Sequence, residues 1–490
     1  MRKTALLLAA ALASTAAAPP PSPGPDAALR VPRAAAADVS EARLHATVEK
    51  LVSFGTRHTL SSMTDPKRGI GAAERWVQEE FGRYSAACGG CLQIVTPEED
   101  FKGARAPNGV RIRDVVAIQR GTGDPNRVVI ITGHIDSRVT DIMNANAEEP
   151  GANDDGSGTA AVIEAARVLS KRKFAGTIVY GVLMGEEQGL YGGKTLADYA
   201  KAQGWQVEAD LNNDIVGNTL GSDGIRDNTH VRIFSEGPRW QGHEDLAARQ
   251  RSLGGENDAP GRNISRWLDT LADRLAIGLD VRQVWRNDRF GRGGDHSEFL
   301  NLGFPAVRFT VAMENYNQQH QDLRTENGVQ YGDTIDKMDF PYLRKVTQLN
   351  VAALAAMAAA PMPPEPKVEG AVSTDTTLTW PLVPSAVGYV VRWRRTDAVQ
   401  WQESLFVRSR ASRDEQVPGD VVCSSPVHDA TGKSLPGGCE WRLVLPHVRV
   451  DDWVFGVSSV AADGSESPVA SAVPGGGFRP YTPPPPAARR

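Results

Sequence analysis

Val128-Val129-Ile130-Ile131-Thr132-Gly133-His134-Ile135-Asp136 carries an apolar, β-branched run straight into a His-x-Asp pair. Such a run predicts a strand. Runs of the same kind recur at residues 178–184 and 306–311, and stretches with apolar residues at helical spacing surround them at 39–52, 71–84, 160–169, 190–200, 267–275 and 342–360. Strands alternating with helices predict an α/β sheet with parallel strands, and such sheets hold ligands at the carboxyl ends of their strands. No repeat of fixed period is visible.

The chain has 490 residues with 54 basic and 59 acidic side chains, 41% hydrophobic and 23% charged, for a formal charge of -5. That composition excludes collagen, general disorder and a strongly basic nucleic-acid binder. Residues 1–18 place Arg2 and Lys3 before an apolar stretch and end in Ser14-Thr15-Ala16-Ala17-Ala18, the pattern of a secretory signal peptide. Export to the periplasm or the exterior is therefore expected. The longest remaining apolar run, residues 351–360, is half the roughly 20 residues a membrane span needs, so no membrane span is expected. The four cysteines fall into two local pairs, Cys88 with Cys91 and Cys423 with Cys439, both read as disulfides of an oxidising compartment.

Residues 19–38 read as a Pro/Ala-rich linker, 39–360 as the main domain and 361–366 as a second, proline-rich linker. Beyond it the helical period vanishes and short β-type runs appear at 376–380, 388–393, 441–445 and 453–460, which predicts a small β-sandwich over 367–473. Leu378-Thr379-Trp380, the run Tyr389-Val390-Val391-Arg392-Trp393, and residues 454–460 followed by Asp463-Gly464 make this part similar to a fibronectin type III domain. Residues 474–490, with four prolines at 483–486, are expected to be disordered, and a cut near Met362 is expected to leave the main domain folded.

Five segments of the main domain carry chemistry. His134 could bind a metal through one ring nitrogen, with Asp136 on the other. Gly151-Ala152-Asn153-Asp154-Asp155-Gly156-Ser157-Gly158 opens a helix, so Asp155 reads as an N-cap, although adjacent carboxylates also suit a bridged metal pair. Glu186-Glu187 closes the 178–184 strand and reads as either a solvated pair or ligands. Asp214 lies among apolar residues in Leu211-Asn212-Asn213-Asp214-Ile215-Val216, where an unpaired charge is costly. Late in the domain, either His296, in Asp295-His296-Ser297-Glu298-Phe299, or His320, in Gln318-Gln319-His320-Gln321-Asp322, can complete a site. No Gly-x-Ser-x-Gly and no P-loop is present.

In this order the segments resemble the secreted two-zinc aminopeptidases, the aminopeptidase Y or leucyl aminopeptidase type of metallopeptidase, over roughly residues 40–360. The resemblance implies a central mixed, mostly parallel sheet flanked by helices, of the zinc exopeptidase type. It further implies two Zn2+ ions per chain, held by His134, Asp154, Glu187, Asp214 and His320, with Glu186 as general base and Asp136 supporting His134. Two zinc ions and three ligand carboxylates leave one positive charge, which a hydroxide bridging the ions neutralises. The implied partners are peptide substrates with a free N-terminus. One departure stands out: relatives carry Tyr directly before the late histidine, whereas Gln319 stands here and Tyr316 is the nearest substitute. Two other readings compete: a glutaminyl-cyclase-like transferase, which the resemblance associates with a single zinc, and an inactive binding or adhesion ectodomain. The first is disfavoured by both ligand sets being present, the second by the retained base and ligands.

Overall fold

The structure, a computed structural model, describes residues 27–237, 244–409, 422–428 and 434–482. Its centre is an eight-stranded mixed sheet. In chain order the strands are β1 (Leu92–Val95), β2 (Val115–Gln119), β3 (Asp124–His134), β4 (Gly176–Leu183), β5 (Gln206–Asn213), β6 (His230–Ser235), β7 (Asp280–Val284) and β8 (Ala306–Val311). They lie side by side as β1-β2-β4-β3-β5-β8-β6-β7. The four central strands, β4, β3, β5 and β8, pair in parallel. Antiparallel pairs flank them on both sides. The expected α/β architecture, a mostly parallel sheet flanked by helices, is what the chain forms.

Every residue of β2 and β4 is buried, as strands covered by helices on both faces require. The helix Gly156–Leu169 packs on β3 so closely that Gly158 in its first turn tolerates no side chain. A Cβ on Gly158 would stand 2.1 Å from the Asn213 carbonyl oxygen, and one on Gly133 would stand 2.6 Å from the Gly158 carbonyl carbon. These glycines bring the loop before the helix down onto the ends of β3 and β5. Asp155 caps that helix as expected, accepting from Gly158 N at 2.8 Å, and also accepts from His134 N at 3.0 Å.

Two expectations about the chain ends need correction. Residues 30–37, expected to be linker, form the helix Arg30–Ala37. Pro32 sits in its first turn, where a missing N–H costs nothing, and the alanines pack against the helix Phe340–Ala359, whose Gln348 Nε2 donates to Ala36 O at 3.0 Å. Residues 474–482, expected to be disordered, are packed down: Phe478 is buried and Gln250 Nε2 donates to Pro474 O at 2.8 Å. Residues 1–26 and 483–490, including the expected signal peptide, lie outside the described residues.

Beyond Pro366 the chain builds two four-stranded antiparallel sheets. They are fastened to the main domain through the helix Pro260–Leu275 and the turn before it. Asp258, fully buried, accepts from Arg394 Nη2 at 2.5 Å and from Ser471 Oγ at 2.8 Å. Arg266 Nε donates to Val399 O at 2.5 Å and Gln400 Nε2 to Asp269 Oδ2 at 2.7 Å. Cys88 and Cys91 are disulfide-bonded, as expected. The side chains of Cys423 and Cys439 lie outside the described ones.

Candidate metal centre

The parallel strands aim their carboxyl ends at one spot. His134 ends β3, Glu186 and Glu187 open the single turn Glu186–Gly189 after β4, and Asp214 follows β5. Asp154 comes from the loop before the helix Gly156–Leu169, and His320 from the loop after β8. His320 holds a left-handed backbone, φ 56°, a conformation that costs a residue with a Cβ on the order of 1 kcal/mol.

Two donor sets result. His134, Asp154 and Asp214 offer ligand atoms within 4.8 Å of one another, and so do Asp154, Glu187 and His320. Asp154 belongs to both. Its Oδ1 lies 3.3 Å from His134 Nε2, and its Oδ2 lies 2.9 Å from His320 Nε2. Glu187 Oε1 is 2.9 Å from His320 Nε2, and Asp214 Oδ1 is 3.9 Å from His134 Nε2. All but half-buried His320 are buried.

Proximity without hydrogen-bond geometry marks the middle of each set. His134 Nε2 and Glu187 Oε1 are buried and make no hydrogen bond among the described residues. Leaving such atoms unpaired costs roughly 1–3 kcal/mol each. A cation between the facing lone pairs removes that cost, and imidazole nitrogen with carboxylate oxygen is a donor set that suits zinc. Without a cation the imidazoles must carry the positive charge. Burial opposes this, but Glu187 and Asp154 push His320 up to about 10, and Asp136, Asp154 and Asp214 raise His134 well above its ordinary value. Conversely, His320 and His134 hold Asp154 well below the usual carboxylate range despite burial.

Asp136 does more than the expected support of His134. The His134 Nδ1 faces the Asp136 backbone carbonyl at 3.0 Å and its carboxylate at 3.4 Å. That carboxylate accepts from the amides of Gly185, Glu186 and Glu187 at 3.0, 3.2 and 3.1 Å, and from Thr59 Oγ1 at 2.8 Å. It thereby ties the β4 turn to the β3 turn. Glu186 itself is half-buried, and its carboxylate has no hydrogen-bonding partner among the described residues. Burial raises its pKa well above the ordinary value, with Glu187, Asp214 and Asp295 adding to the rise.

His296 stands elsewhere. It is buried with Nε2 2.9 Å from Asn287 O and belongs to neither donor set. Tyr316 is 60% exposed and holds Ser222 through its backbone, so it is no stand-in for the missing tyrosine. Gln319 instead occupies that side of the site, its Nε2 donating to Asp154 Oδ2 at 3.2 Å.

Three supporting residues escaped the sequence reading. Asp333 accepts from Asn153 N at 2.9 Å and from Asp154 N at 2.7 Å, clamping the backbone of the shared carboxylate. Arg138 donates from Nε to Glu187 Oε2 at 2.8 Å, and its Nη2 stands 2.6 Å from His320 Nδ1. Arg308, fully buried in β8, lies 2.9 Å from Asp214 Oδ2 and 2.7 Å from Asp288 Oδ1. An arginine inside the apolar run of 304–311 was the one available signal, since a buried charge demands partners.

Comparison with known proteins gives concordant matches. A sequence profile described as Peptidase family M28 matches residues 114–354. A protein of Leptosphaeria maculans named probable zinc metalloprotease is 40% identical over 443 residues, covering 89% of this chain and 96% of its own. Another of that name, from Pyricularia oryzae, is 40% identical over 466 residues, covering 92% and 85%. Among solved structures, the LapA aminopeptidase of Legionella pneumophila shares the fold with a TM-score of 0.50 at 19% identity, covering 67% of this chain and 73% of LapA.

Proposed function

The chain belongs to peptidase family M28 and is a zinc metalloprotease, and on that premise we propose that it is an exported two-zinc aminopeptidase. The observation that carries the two-ion reading is Asp154, whose two oxygens face two separate histidines. One ion would be held by His134, Asp154 and Asp214, the other by Asp154, Glu187 and His320. A single-zinc transferase of the same fold would leave one of these buried donor sets without a purpose.

Zinc bound there supplies Lewis acidity toward a peptide carbonyl and brings the pKa of a water from 15.7 down to about 7. Glu186, whose carboxylate has no hydrogen-bonding partner among the described residues, takes the proton of the attacking water and returns it to the leaving amine. Asp136 fixes the backbone of Glu186 and Glu187 and so sets where that proton is handled. Arg138 and Arg308 orient the ligand carboxylates of Glu187 and Asp214. Water's oxygen ends on the released amino acid and its protons on that acid and the new amine. Action from the amino end draws on the motif likeness and on the aminopeptidase fold likeness. Residues 367–473 are read as a fibronectin type III-like support.

A panel of aminoacyl-anilides, with N-acetylated controls, tests the reading. Release from the free-amine substrates should stop with a chelator and return with zinc, and the acetylated ones should remain intact. Chelator-resistant turnover, or equal cleavage of acetylated substrates, would overturn it.

A further inference from the structure

Beside the metal centre four arginines stand close together. Arg232, Arg289, Arg292 and Arg308 share three carboxylates, Asp214, Asp288 and Glu314. Glu314 alone meets three of the four: Arg232 Nη2 at 2.6 Å on Oε1, with Arg292 Nη1 at 3.2 Å and Arg289 Nη1 at 3.5 Å on Oε2. Asp214 is in a donor set as well, so its charge is not at the disposal of Arg308 alone.

Burial decides which arginine a ligand can reach. The side chains of Arg308, Arg289 and Arg232 are 0%, 8% and 19% exposed, whereas Arg292 is 33% exposed. Arg292 spends only Nη1, on Glu314 Oε2 and on Gln319 Oε1, each at 3.2 Å. Its Nε and Nη2 make no hydrogen bond among the described residues. Those two nitrogens form one edge of the guanidinium, the edge that takes a carboxylate through two parallel hydrogen bonds.

The distance to the chemistry is short. Gln319 joins Arg292 to Asp154: it accepts from Arg292 at 3.2 Å and donates to Asp154 Oδ2 at 3.2 Å. Two hydrogen bonds and one amide group thus separate Arg292 from the shared carboxylate. An extended peptide advances about 3.3–3.6 Å per residue, so this span corresponds to one or two residues.

We propose that Arg292 binds a substrate carboxylate lying one or two residues beyond the scissile bond. This rests on the aminopeptidase reading and narrows its substrate class. The carboxylate is either the C-terminus of a di- or tripeptide or an acidic side chain at that place, and the two sources are separable.

The test uses the full-length zinc enzyme and the N-terminal residue X best accepted among the anilides. The substrates are X-Ala, X-Ala-Ala, the C-terminal amide of each, and X-Asp amide. The acid of at least one length should exceed its amide in kcat/KM by about ten- to a hundredfold, the range of a charge-assisted hydrogen bond. X-Asp amide should match the acid if a side chain serves, and stay with the amides if only a C-terminus does. Arg292→Gln should bring the acid-to-amide ratio close to one, and Arg292→Lys should keep part of it. Equal rates for all five peptides, with the anilides still turned over, would overturn the proposal alone. So would an Arg292→Gln enzyme slowed by one factor on every substrate. Failure to turn over anilides and peptides alike would remove the aminopeptidase reading and this proposal with it.

Discussion

Asp154 Oδ2 and His320 Nε2 lie 2.9 Å apart, while the other oxygen of the same carboxylate faces His134 Nε2 at 3.3 Å. One side chain thus links two donor sets, and removing a histidine should empty one set and spare the other. His320→Ala is expected to bind one zinc per chain in place of two and to lose nearly all turnover. His296→Ala should keep two, since that ring is hydrogen-bonded to Asn287 O outside both sets. Metal analysis of the two purified variants checks this, and the reverse stoichiometry would move the ligand role to His296.

The Glu186 carboxylate has no hydrogen-bonding partner among the described residues, so its loss should leave the donor sets intact. Glu186→Ala is expected to retain zinc and lose at least about a hundredfold in kcat, the usual scale of a general base. Full turnover in a zinc-loaded variant would reject that role.

Asp333 holds the backbone amides of Asn153 and Asp154 without belonging to either donor set. Asp333→Asn gives up part of that acceptor capacity, and zinc affinity should fall by about ten- to a hundredfold, as for other groups that orient ligands. Competition titration against a chromophoric chelator measures the shift.

The buried Asp258 depends on Arg394 from the β-domain, 2.5 Å away, with Arg266 only at 4.0 Å. Breaking a buried pair from one side costs about 3–5 kcal/mol. Arg394→Leu should therefore lower the unfolding midpoint sharply, and a chain cut near Met362 should be unstable, in contrast to the expectation from the proline-rich sequence alone. Denaturant titration of Arg394→Leu, set beside Arg394→Lys, checks it.

Glu208 lies buried at the start of β5 with one oxygen on Arg127 Nη1 at 3.0 Å and the other without a hydrogen bond among the described residues, and burial raises its pKa from 4.5 to about 7 despite Arg127. The folded state thus holds a proton that the unfolded state releases earlier. The associated stability is complete below about pH 4.5, is lost as pH rises through about 7, and amounts to roughly 3 kcal/mol. Relative to wild type, Glu208→Gln should gain thermal midpoint across that window and nothing further above it.

Glu208 also shows why part of the fold escaped the sequence reading. β5 reads Gln-Val-Glu-Ala-Asp-Leu-Asn-Asn, polar at every second place like a strand with one face in water, yet it is a central strand buried beyond its first residue. Its acids are buried because Arg127 and Thr132 on β3 meet them across the sheet, pairings invisible to a local pattern. β3 and β8 were legible because apolar neighbours on both faces impose an apolar run. The convergence of His134, Asp154, Glu186, Glu187 and Asp214 was legible for a related reason: parallel strands deliver whatever follows them to one edge. Asp333, Arg138 and Arg292 arrive from loops whose positions depend on the tertiary fold. The helix Arg30–Ala37 was missed because its stability comes from packing on Phe340–Ala359, not from its own sequence.

The most direct test of the two-ion centre is anomalous diffraction from crystals of the full-length protein, recorded at the zinc edge. Two peaks about 3.5–4 Å apart, one beside His134 and Asp214, the other beside Glu187 and His320, with Asp154 between them, are expected. A single peak, or none within reach of Asp154, would contradict the account.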